Sequence, residues 1–169
     1  MRVVVLADTH LRGGIERLPE RLRDDLGRCD AILHAGDVLD GDVLTALARH
    51  APLYAVLGNN DAALAGQIPD ELVIELAGVR IALVHDAGPR VGRDTRLADR
   101  FPDAQLVVYG HSHVPDDRIG LRGQRLFNPG SPTQRRRQPC PSYGELLLGA
   151  GRVLGHRVIA LSTGPTRTH

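Results

Sequence analysis

Histidine, aspartate and asparagine recur directly after the apolar segments of this sequence, in combinations that can bind a metal ion. The most distinctive combination is G-H-S-H, in which His111 and His113 follow a run of apolar residues. Imidazole nitrogens and carboxylate or amide oxygens, without a cysteine thiolate, suit divalent cations such as Mn²⁺, Fe²⁺, Co²⁺, Ni²⁺ and Zn²⁺. The pattern therefore favours a metal site over an acid–base dyad or a nucleophilic triad.

Four further polar groups occupy the same kind of position along the chain. They are D-T-H (Asp8 and His10), G-D (Asp37), G-N-N-D (Asn59 to Asp61) and H-D (His85 and Asp86). Each alone has an ordinary explanation, since Asp37 can cap a helix and His85 can be a hydrogen-bonded core residue. The recurrence of five such groups after five apolar segments is what indicates a shared site.

The spacing within two of these groups predicts paired metal ligands. In an extended backbone, residues i and i+2 point to the same side, so Asp8 and His10 would reach one pocket as a pair. The same geometry would bring His111 and His113 to one metal site, or to two adjacent metals, with Ser112 facing away.

Five short apolar segments precede these groups, and we predict that they are buried strands because they are rich in β-branched residues and bounded by turn residues. They span residues 3–7, 31–35, 53–57, 80–85 and 105–109. His34 lies inside the second segment and is interpreted as a core histidine. Apolar spacing predicts helices at 14–28 and 42–50, with a third at 93–100. Strands that alternate with helices predict a parallel start to the sheet, with the polar groups in the crevice at the carboxyl ends of the strands.

The second half of the chain contains three predicted hairpins, which would make it mostly antiparallel. Their turns fall at Ala77-Gly78, at Arg122-Gly123 and at Gly149 to Gly151. We expect a single domain over residues 1–161 and a disordered tail at 162–169.

The composition is that of an ordinary globular protein, and it argues against several functions. The net charge of +1 provides no overall field toward nucleic acid or an anionic membrane, and aromatic residues at 3% offer no stacking platform for single strands. Two cysteines without a C-x-x-C spacing argue against a disulfide scaffold. No apolar run is long enough to cross a bilayer. We therefore expect a cytoplasmic protein with no membrane or polymeric nucleic-acid partner, whose oligomeric state, including a homo-oligomer, stays open.

The ordered set D-x-H, G-D, G-N-x-D, a His after a strand and G-H-x-H resembles the calcineurin-like metallophosphoesterases. The N-P-G-S stretch at 128–131 resembles their small, single-domain phosphodiesterase branch, which also contains the scaffold subunit of the retromer coat. The resemblance runs from about residue 1 to residue 160. It implies an α/β fold in which two mixed β-sheets pack as a sandwich with flanking helices.

The resemblance also implies a centre of two divalent metal ions, with Mn²⁺ expected first. Carried over by position, one ion would be held by Asp8, His10, Asp37 and His113, and the other by Asp37, Asn59, His85 and His111. All seven ligands of the pattern are present, which favours an enzyme over a scaffold that has lost catalysis. Two positions depart from the family pattern: Asp86 follows His85 where Gly is common, and Asn60 stands where larger relatives have a proton-donating His.

These expectations combine into a dinuclear metal-dependent phosphodiesterase that hydrolyses small phosphodiesters or nucleotides through a hydroxide shared by the two metals. The expected catalytic residues are Asn59, Asp61 and His111, and the expected substrate contacts are Asn60, Asn128, Ser131 and Arg135. Arg135 belongs to a run of three arginines, which can clamp an anionic group or form a solvated loop. A phosphomonoesterase and a non-catalytic interaction scaffold on the same fold remain as alternatives.

Overall fold

The computed structural model describes residues 1–161, which form ten strands and three α-helices. The predicted tail at 162–169 lies outside the described residues. In chain order the elements are β1 (Arg2–Leu6), α1 (Glu20–Leu26), β2 (Ala31–His34), α2 (Gly41–Ala48), β3 (Leu53–Ala55), β4 (Glu71–Leu76), β5 (Val79–Val84), α3 (Arg93–Arg100), β6 (Leu106–Val108), β7 (Asp116–Ile119), β8 (Arg125–Asn128), β9 (Ser142–Gly149) and β10 (Arg152–Ala160). Single 3₁₀ turns lie at Ala62–Leu64 and Leu121–Gly123.

The strands form two mixed five-stranded sheets. The first has the order β10–β9–β1–β2–β3, in which β1, β2 and β3 run parallel, as predicted for the start of the chain. The second has the order β4–β5–β6–β8–β7, in which β6 runs parallel to both β5 and β8. The three predicted hairpins are confirmed as the pairs β4–β5, β7–β8 and β9–β10. The parallel pairs of β6 make the second half less uniformly antiparallel than we predicted.

The two sheets pack face to face around a core built from alternate residues of their strands. Val5 and Leu33 of the first sheet belong to the same buried cluster as Leu83 and Val108 of the second. The opposite face of the first sheet packs against α1 and α2, and that of the second packs against α3. Full burial of such a side chain contributes about 1.5–3 kcal/mol. The predicted sandwich of two mixed sheets with flanking helices is therefore confirmed.

The helices follow the prediction except at the start of α1. The predicted helix at 14–28 spans only Glu20–Leu26, because Gly13 and Gly14 adopt positive φ and Pro19 lies directly before the first helical residue. At α2, the side chain of Asp40 accepts a hydrogen bond from the Asp42 N–H and caps the helix. None of the helices within residues 1–161 has the length and apolar character needed to span a membrane.

The strands that precede the polar groups end on one side of the sandwich, although they belong to different sheets. The Asp8 N–H donates to the Gly36 carbonyl over 2.9 Å, which joins the ends of β1 and β2. The Gly110 N–H donates to the His85 carbonyl over 3.0 Å, which joins the ends of β6 and β5. Nδ1 of His85 lies 2.7 Å from the Ala35 carbonyl, and this contact connects the two sheets. The polar groups therefore meet where the sheets come together.

Candidate metal centre

All seven side chains predicted as metal ligands meet at this edge, in two groups that share one carboxylate. Asp8, Asp37, His85 and His113 are buried, while Asn59 and His111 are exposed at the mouth. The first group consists of Asp8, His10 and His113, and the second of Asn59, His85 and His111. Asp37 lies between the two groups.

The first group and the shared carboxylate of Asp37 bring four potential ligand atoms together. Nε2 of His10 lies 3.3 Å from Nε2 of His113, which lies 3.4 Å from Oδ1 of Asp8. Nε2 of His10 also lies 3.5 Å from Oδ2 of Asp37. Because these atoms are imidazole nitrogens and carboxylate oxygens, the arrangement suits a cation among them.

The second group has the same character on the other side of Asp37. Nε2 of His85 lies 3.5 Å from Oδ2 of Asp37, 3.1 Å from Oδ1 of Asn59 and 3.3 Å from Nδ1 of His111. Nδ1 of His111 lies 2.8 Å from the same Asn59 oxygen. A single carboxylate oxygen, Oδ2 of Asp37, is thus near both groups.

Main-chain carbonyls determine which nitrogen of two imidazoles is available to a cation. Nδ1 of His113 lies 2.8 Å from the Gln134 carbonyl, and Nδ1 of His85 lies 2.7 Å from that of Ala35. A carbonyl oxygen only accepts, so each Nδ1 donates and the Nε2 of the neutral ring carries the lone pair. In His85 this lone pair faces the acceptor oxygen of Asp37. Such an arrangement is stable only when a proton or a metal cation lies between them.

The electrostatics of the buried carboxylate Asp8 also suit a cation beside it. Burial raises the pKa of Asp8 to about 7, and its Oδ2 has no hydrogen-bond partner among the described residues. Burial lowers the pKa of His85, but its hydrogen bonds to Asp37 and the Ala35 carbonyl outweigh burial and raise the pKa above the ordinary value. A proton on His85 would thus replace part of the charge that a metal would bring. The residues present fit a metal ion.

Asn60 is engaged with Asp37. Its backbone N–H donates to Oδ1 of Asp37 over 2.9 Å, and its side-chain amide donates to Oδ2 over 2.7 Å. Burial raises the pKa of Asp37, but hydrogen bonds from His85 and Asn60 outweigh burial and hold the pKa below its ordinary value. Asp37 is therefore a stable anion, as a shared metal ligand must be.

Asp61 ties together the loops that follow β2 and β3. Its carboxylate is buried and accepts hydrogen bonds from the backbone N–H groups of Asp37 (2.8 Å), Leu39 (2.7 Å) and Gly58 (2.8 Å). The expected catalytic role of Asp61 would therefore be exerted through the positions of these loops.

The extended backbone that we expected at the ligand pairs is not what forms. Five of the seven residues have positive φ: Asp8 (54°), His10 (45°), Asp37 (59°), His111 (67°) and His113 (58°). Non-glycine residues rarely adopt this conformation, and the chain adopts it here because it turns sharply as each strand ends. Asp8 and His10 still share a group, but His111 and His113 belong to different groups. Ser112 faces away as expected, toward Asn128.

Two glycines allow the loops to approach this closely. A Cβ at Gly58 would lie 2.2 Å from Oδ1 of Asp37, and one at Gly110 would lie 2.9 Å from Oδ2 of Asp8. The sequence showed these residues only as turn formers. Their second role is to allow close contact with a proposed metal-binding side chain from another loop, and this role depends on the tertiary structure.

The end of β8 and the loop that follows it hold the loops that carry Asp8 and His111. Asn128 and Ser131 are buried: Asn128 donates to the Gly110 carbonyl over 3.0 Å, and the Ser131 hydroxyl donates to the Asp8 carbonyl over 2.7 Å. Both predicted substrate contacts thus hold ligand loops. Arg135, on the same loop, is exposed and donates to a main-chain carbonyl over 2.8 Å.

A set of hydrogen bonds that the sequence did not predict holds Thr9, the residue between Asp8 and His10. The Thr9 hydroxyl lies 3.0 Å from Nε2 of His34, which is fully buried as expected. The Thr9 carbonyl accepts a hydrogen bond from the Thr133 hydroxyl over 2.7 Å. The position of Thr9 inside D-T-H was the only sequence signal of this arrangement.

Comparison with known proteins connects this geometry to a family. The sequence profile of the calcineurin-like phosphoesterase superfamily domain matches residues 1–148. A probable metallophosphoesterase of Methanocaldococcus jannaschii is 34% identical to the chain over an alignment of 146 residues, and the alignment covers 83% of this chain and 71% of that protein.

Two solved structures share the fold. A single mutant of Vps29 from Entamoeba histolytica superimposes with a TM-score of 0.73 at 21% identity, covering 96% of this chain and 100% of its own. An archaeal phosphodiesterase superimposes with a TM-score of 0.68 at 19% identity, covering 95% of this chain and 100% of its own.

Proposed function

This chain belongs to the calcineurin-like phosphoesterase superfamily, and from that premise we propose that it is a dinuclear metal-dependent phosphodiesterase for small diesters. The observation that carries the proposal is the convergence of seven side chains into two groups joined by Oδ2 of Asp37. Ligands from five strand ends in two sheets have no structural need to meet in this way. Their imidazole nitrogens and carboxylate oxygens are the ligand types that a divalent cation binds.

The distances support the two ligand sets that the family resemblance implies. The first ion would be held by Asp8, His10, Asp37 and His113, and the second by Asp37, Asn59, His85 and His111. Imidazole, carboxylate and amide ligands suit Mn²⁺, and Fe²⁺, Co²⁺, Ni²⁺ or Zn²⁺ would also be accepted. When bound, two such ions supply positive charge for phosphate oxygens and lower the pKa of a coordinated water to about 7.

The residues of the chain contribute charge and position. Asp8 and Asp37 neutralise only part of the charge that two divalent ions bring, so the pocket attracts an anionic phosphate. Asp61 and Asn60 hold Asp37 in place, and the carbonyls of Ala35 and Gln134 orient two imidazoles. The exposed His111 lies at the mouth of the centre, where a substrate enters.

Two features support particular substrates. Asn60 cannot give a proton to a leaving group, and its amide is engaged with Asp37, so esters with good leaving groups should react faster than alkyl esters. The exposed carboxylate of Asp86 follows His85 directly, and it disfavours the dianionic phosphate of a monoester. A diester, which has one negative charge, is repelled less.

The proposal is tested with metal-stripped protein, titrated with Mn²⁺ and assayed on bis(4-nitrophenyl) phosphate and 4-nitrophenyl phosphate. We expect activity to depend on Mn²⁺, to favour the diester, and to fall at least about a hundredfold in His111→Ala. His50→Ala, an exposed histidine after α2, is the matched control and should retain activity. Metal-independent hydrolysis would overturn the proposal. Binding of two metals without hydrolysis of either ester would favour the scaffold alternative.

A further inference from the structure

Two pockets border the loops that carry the proposed metal ligands, and their charges differ. The first, of about 390 Å³, adjoins Ser112, the residue between His111 and His113. The second, of about 410 Å³, is bordered by Asn59 and His85. Both are large enough for an organic ester group of a substrate. We refer to them as the Ser112 pocket and the Asn59 pocket.

Two arginines make part of the lining of the Ser112 pocket basic. Arg90 and Arg93 line it, and no carboxylate among residues 1–161 lies within ion-pairing distance of either guanidinium. Asp116, the acidic residue of the lining, is paired with Arg118 at 3.0 Å and accepts a hydrogen bond from the Tyr109 hydroxyl. Its negative charge is therefore partly compensated outside the pocket.

Arg93 is held in position, unlike most surface arginines. Its guanidinium donates to the Gly88 carbonyl over 2.8 Å and lies over the ring of Tyr109, 5.1 Å from the centroid. Tyr109 follows β6 and precedes the loop that carries His111. This cation is thus fixed relative to the centre, and little conformational freedom is lost when an anion binds.

The lining of the Ser112 pocket also includes apolar residues. Val114 is 46% exposed, and Pro115 is the next residue of the lining. A ligand that fills this pocket can therefore contact both hydrocarbon and guanidinium groups.

The Asn59 pocket has the reverse charge. Asp70 and Asp86 line it, and neither is ion-paired within the described part of the chain. Arg100 is its one cationic lining residue, and Glu71 pairs with it at 2.6 Å. An anionic group is therefore disfavoured in the Asn59 pocket and favoured in the Ser112 pocket.

We propose that the Ser112 pocket binds one ester group of the substrate, an organic group that carries a second negative charge, as in a nucleoside with an additional phosphate. This inference rests on the proposed function and adds the substrate class and its orientation. The scissile phosphodiester lies at the metal centre, the charged ester group lies toward Arg90 and Arg93, and the uncharged ester group lies toward Asp70 and Asp86.

The experiment compares two substrates that differ by one phosphate: thymidine 5′-(4-nitrophenyl phosphate) and its 3′-phosphorylated form. The wild-type kcat/KM should be higher for the phosphorylated substrate. Arg90→Ala should reduce this preference about tenfold, the effect of one charge-assisted hydrogen bond. Arg152→Ala is the matched control, since Arg152 begins β10 near Gln105, at the opposite end of β6 from the centre.

A binding measurement separates this inference from the proposed function. Thymidine 3′,5′-bisphosphate and thymidine 5′-monophosphate are titrated into each variant by calorimetry in the presence of Mn²⁺. The pocket assignment is supported if the affinity for the bisphosphate falls about tenfold in Arg90→Ala but not in Arg152→Ala. This result would support the pocket even if no ester is hydrolysed and the proposed function fails. Equal affinities of both nucleotides for wild type and Arg90→Ala would overturn the pocket assignment, whether or not the protein hydrolyses diesters.

Discussion

Nε2 of the fully buried His34 lies 3.0 Å from the hydroxyl of Thr9, the residue between Asp8 and His10. Burial lowers the pKa of His34 to about 4, so the ring is neutral near neutral pH. Because Thr9 is itself buried, its hydroxyl depends on His34 for a partner. The contact links the interior of the first sheet to two proposed metal ligands.

Replacing His34 by Leu should weaken metal binding at the first ligand group. The variant leaves the Thr9 hydroxyl buried without a partner, at a cost of about 1–3 kcal/mol, and loosens the backbone of Asp8 and His10. We expect Mn²⁺ affinity to fall about tenfold or more in one of two calorimetric binding steps, with the other step retained. The double variant with Thr9→Val should lose less than the sum of the single losses. Equal weakening of both steps would contradict a local role.

Replacing Asp61 by Asn should destabilise the protein. The amide places an NH₂ group where a carboxylate oxygen accepts backbone N–H donors, so at least one of the three hydrogen bonds is lost. We expect the free energy of unfolding of the metal-free protein to fall by about 1–3 kcal/mol, measured by urea denaturation. Asp24→Asn, on the exposed side of α1, should have little effect. Equal stability of Asp61→Asn and wild type would show that these bonds are unimportant.

Replacing Gly110 by Ala should disturb Asp8. The added methyl group would lie 2.9 Å from Oδ2 of Asp8 and from the Ala35 carbonyl, which is closer than van der Waals contact allows. We expect a loss of about 1–3 kcal/mol in stability and weaker Mn²⁺ binding, measured by thermal unfolding with and without the metal. At Gly41, the first residue of α2, the nearest atom would lie 3.8 Å away, and Gly41→Ala should be tolerated. If both variants behave alike, the close contact has no role.

Stability should also depend on pH through Asp25. Burial raises the pKa of Asp25, but hydrogen bonds from the Tyr143 hydroxyl and the Arg2 guanidinium outweigh it and hold the pKa below its ordinary value. Because the folded pKa is the lower one, this stabilisation is complete above about pH 4 and is lost as the pH falls through the folded pKa. The difference in free energy of unfolding between wild type and Asp25→Asn should therefore shrink on acidification from about pH 6 to pH 2. A difference that stays constant over this range would rule out the assignment.

The strands and the membership of the site were predictable because both depend on local sequence. Short β-branched segments identify the buried strands, and a polar group directly after a strand lies at its carboxyl end whatever the rest of the fold. The family resemblance indicated which of these residues are the metal ligands, and that assignment stays a prediction. Their division between two sheets was not visible from the segments themselves, and only the family resemblance implied it.

The detailed positions within the site could not be predicted, because they depend on contacts between distant loops. The strand rule for residues i and i+2 left open whether His111 and His113 reach one metal site or two adjacent metals, and positive φ at both places them in two groups. Main-chain carbonyls, such as that of Gln134, orient the imidazoles and leave no mark in a sequence. The buried positions of Asn128 and Ser131 likewise result from packing.

The most direct test of the account is a crystal structure of the protein with Mn²⁺, with the metals located by anomalous scattering. We predict two anomalous peaks about 3.5–4 Å apart, both within bonding distance of Asp37, one beside His10 and His113 and the other beside His85 and His111. A map without peaks at this edge, with the seven side chains directed away from one another, would contradict the central claim.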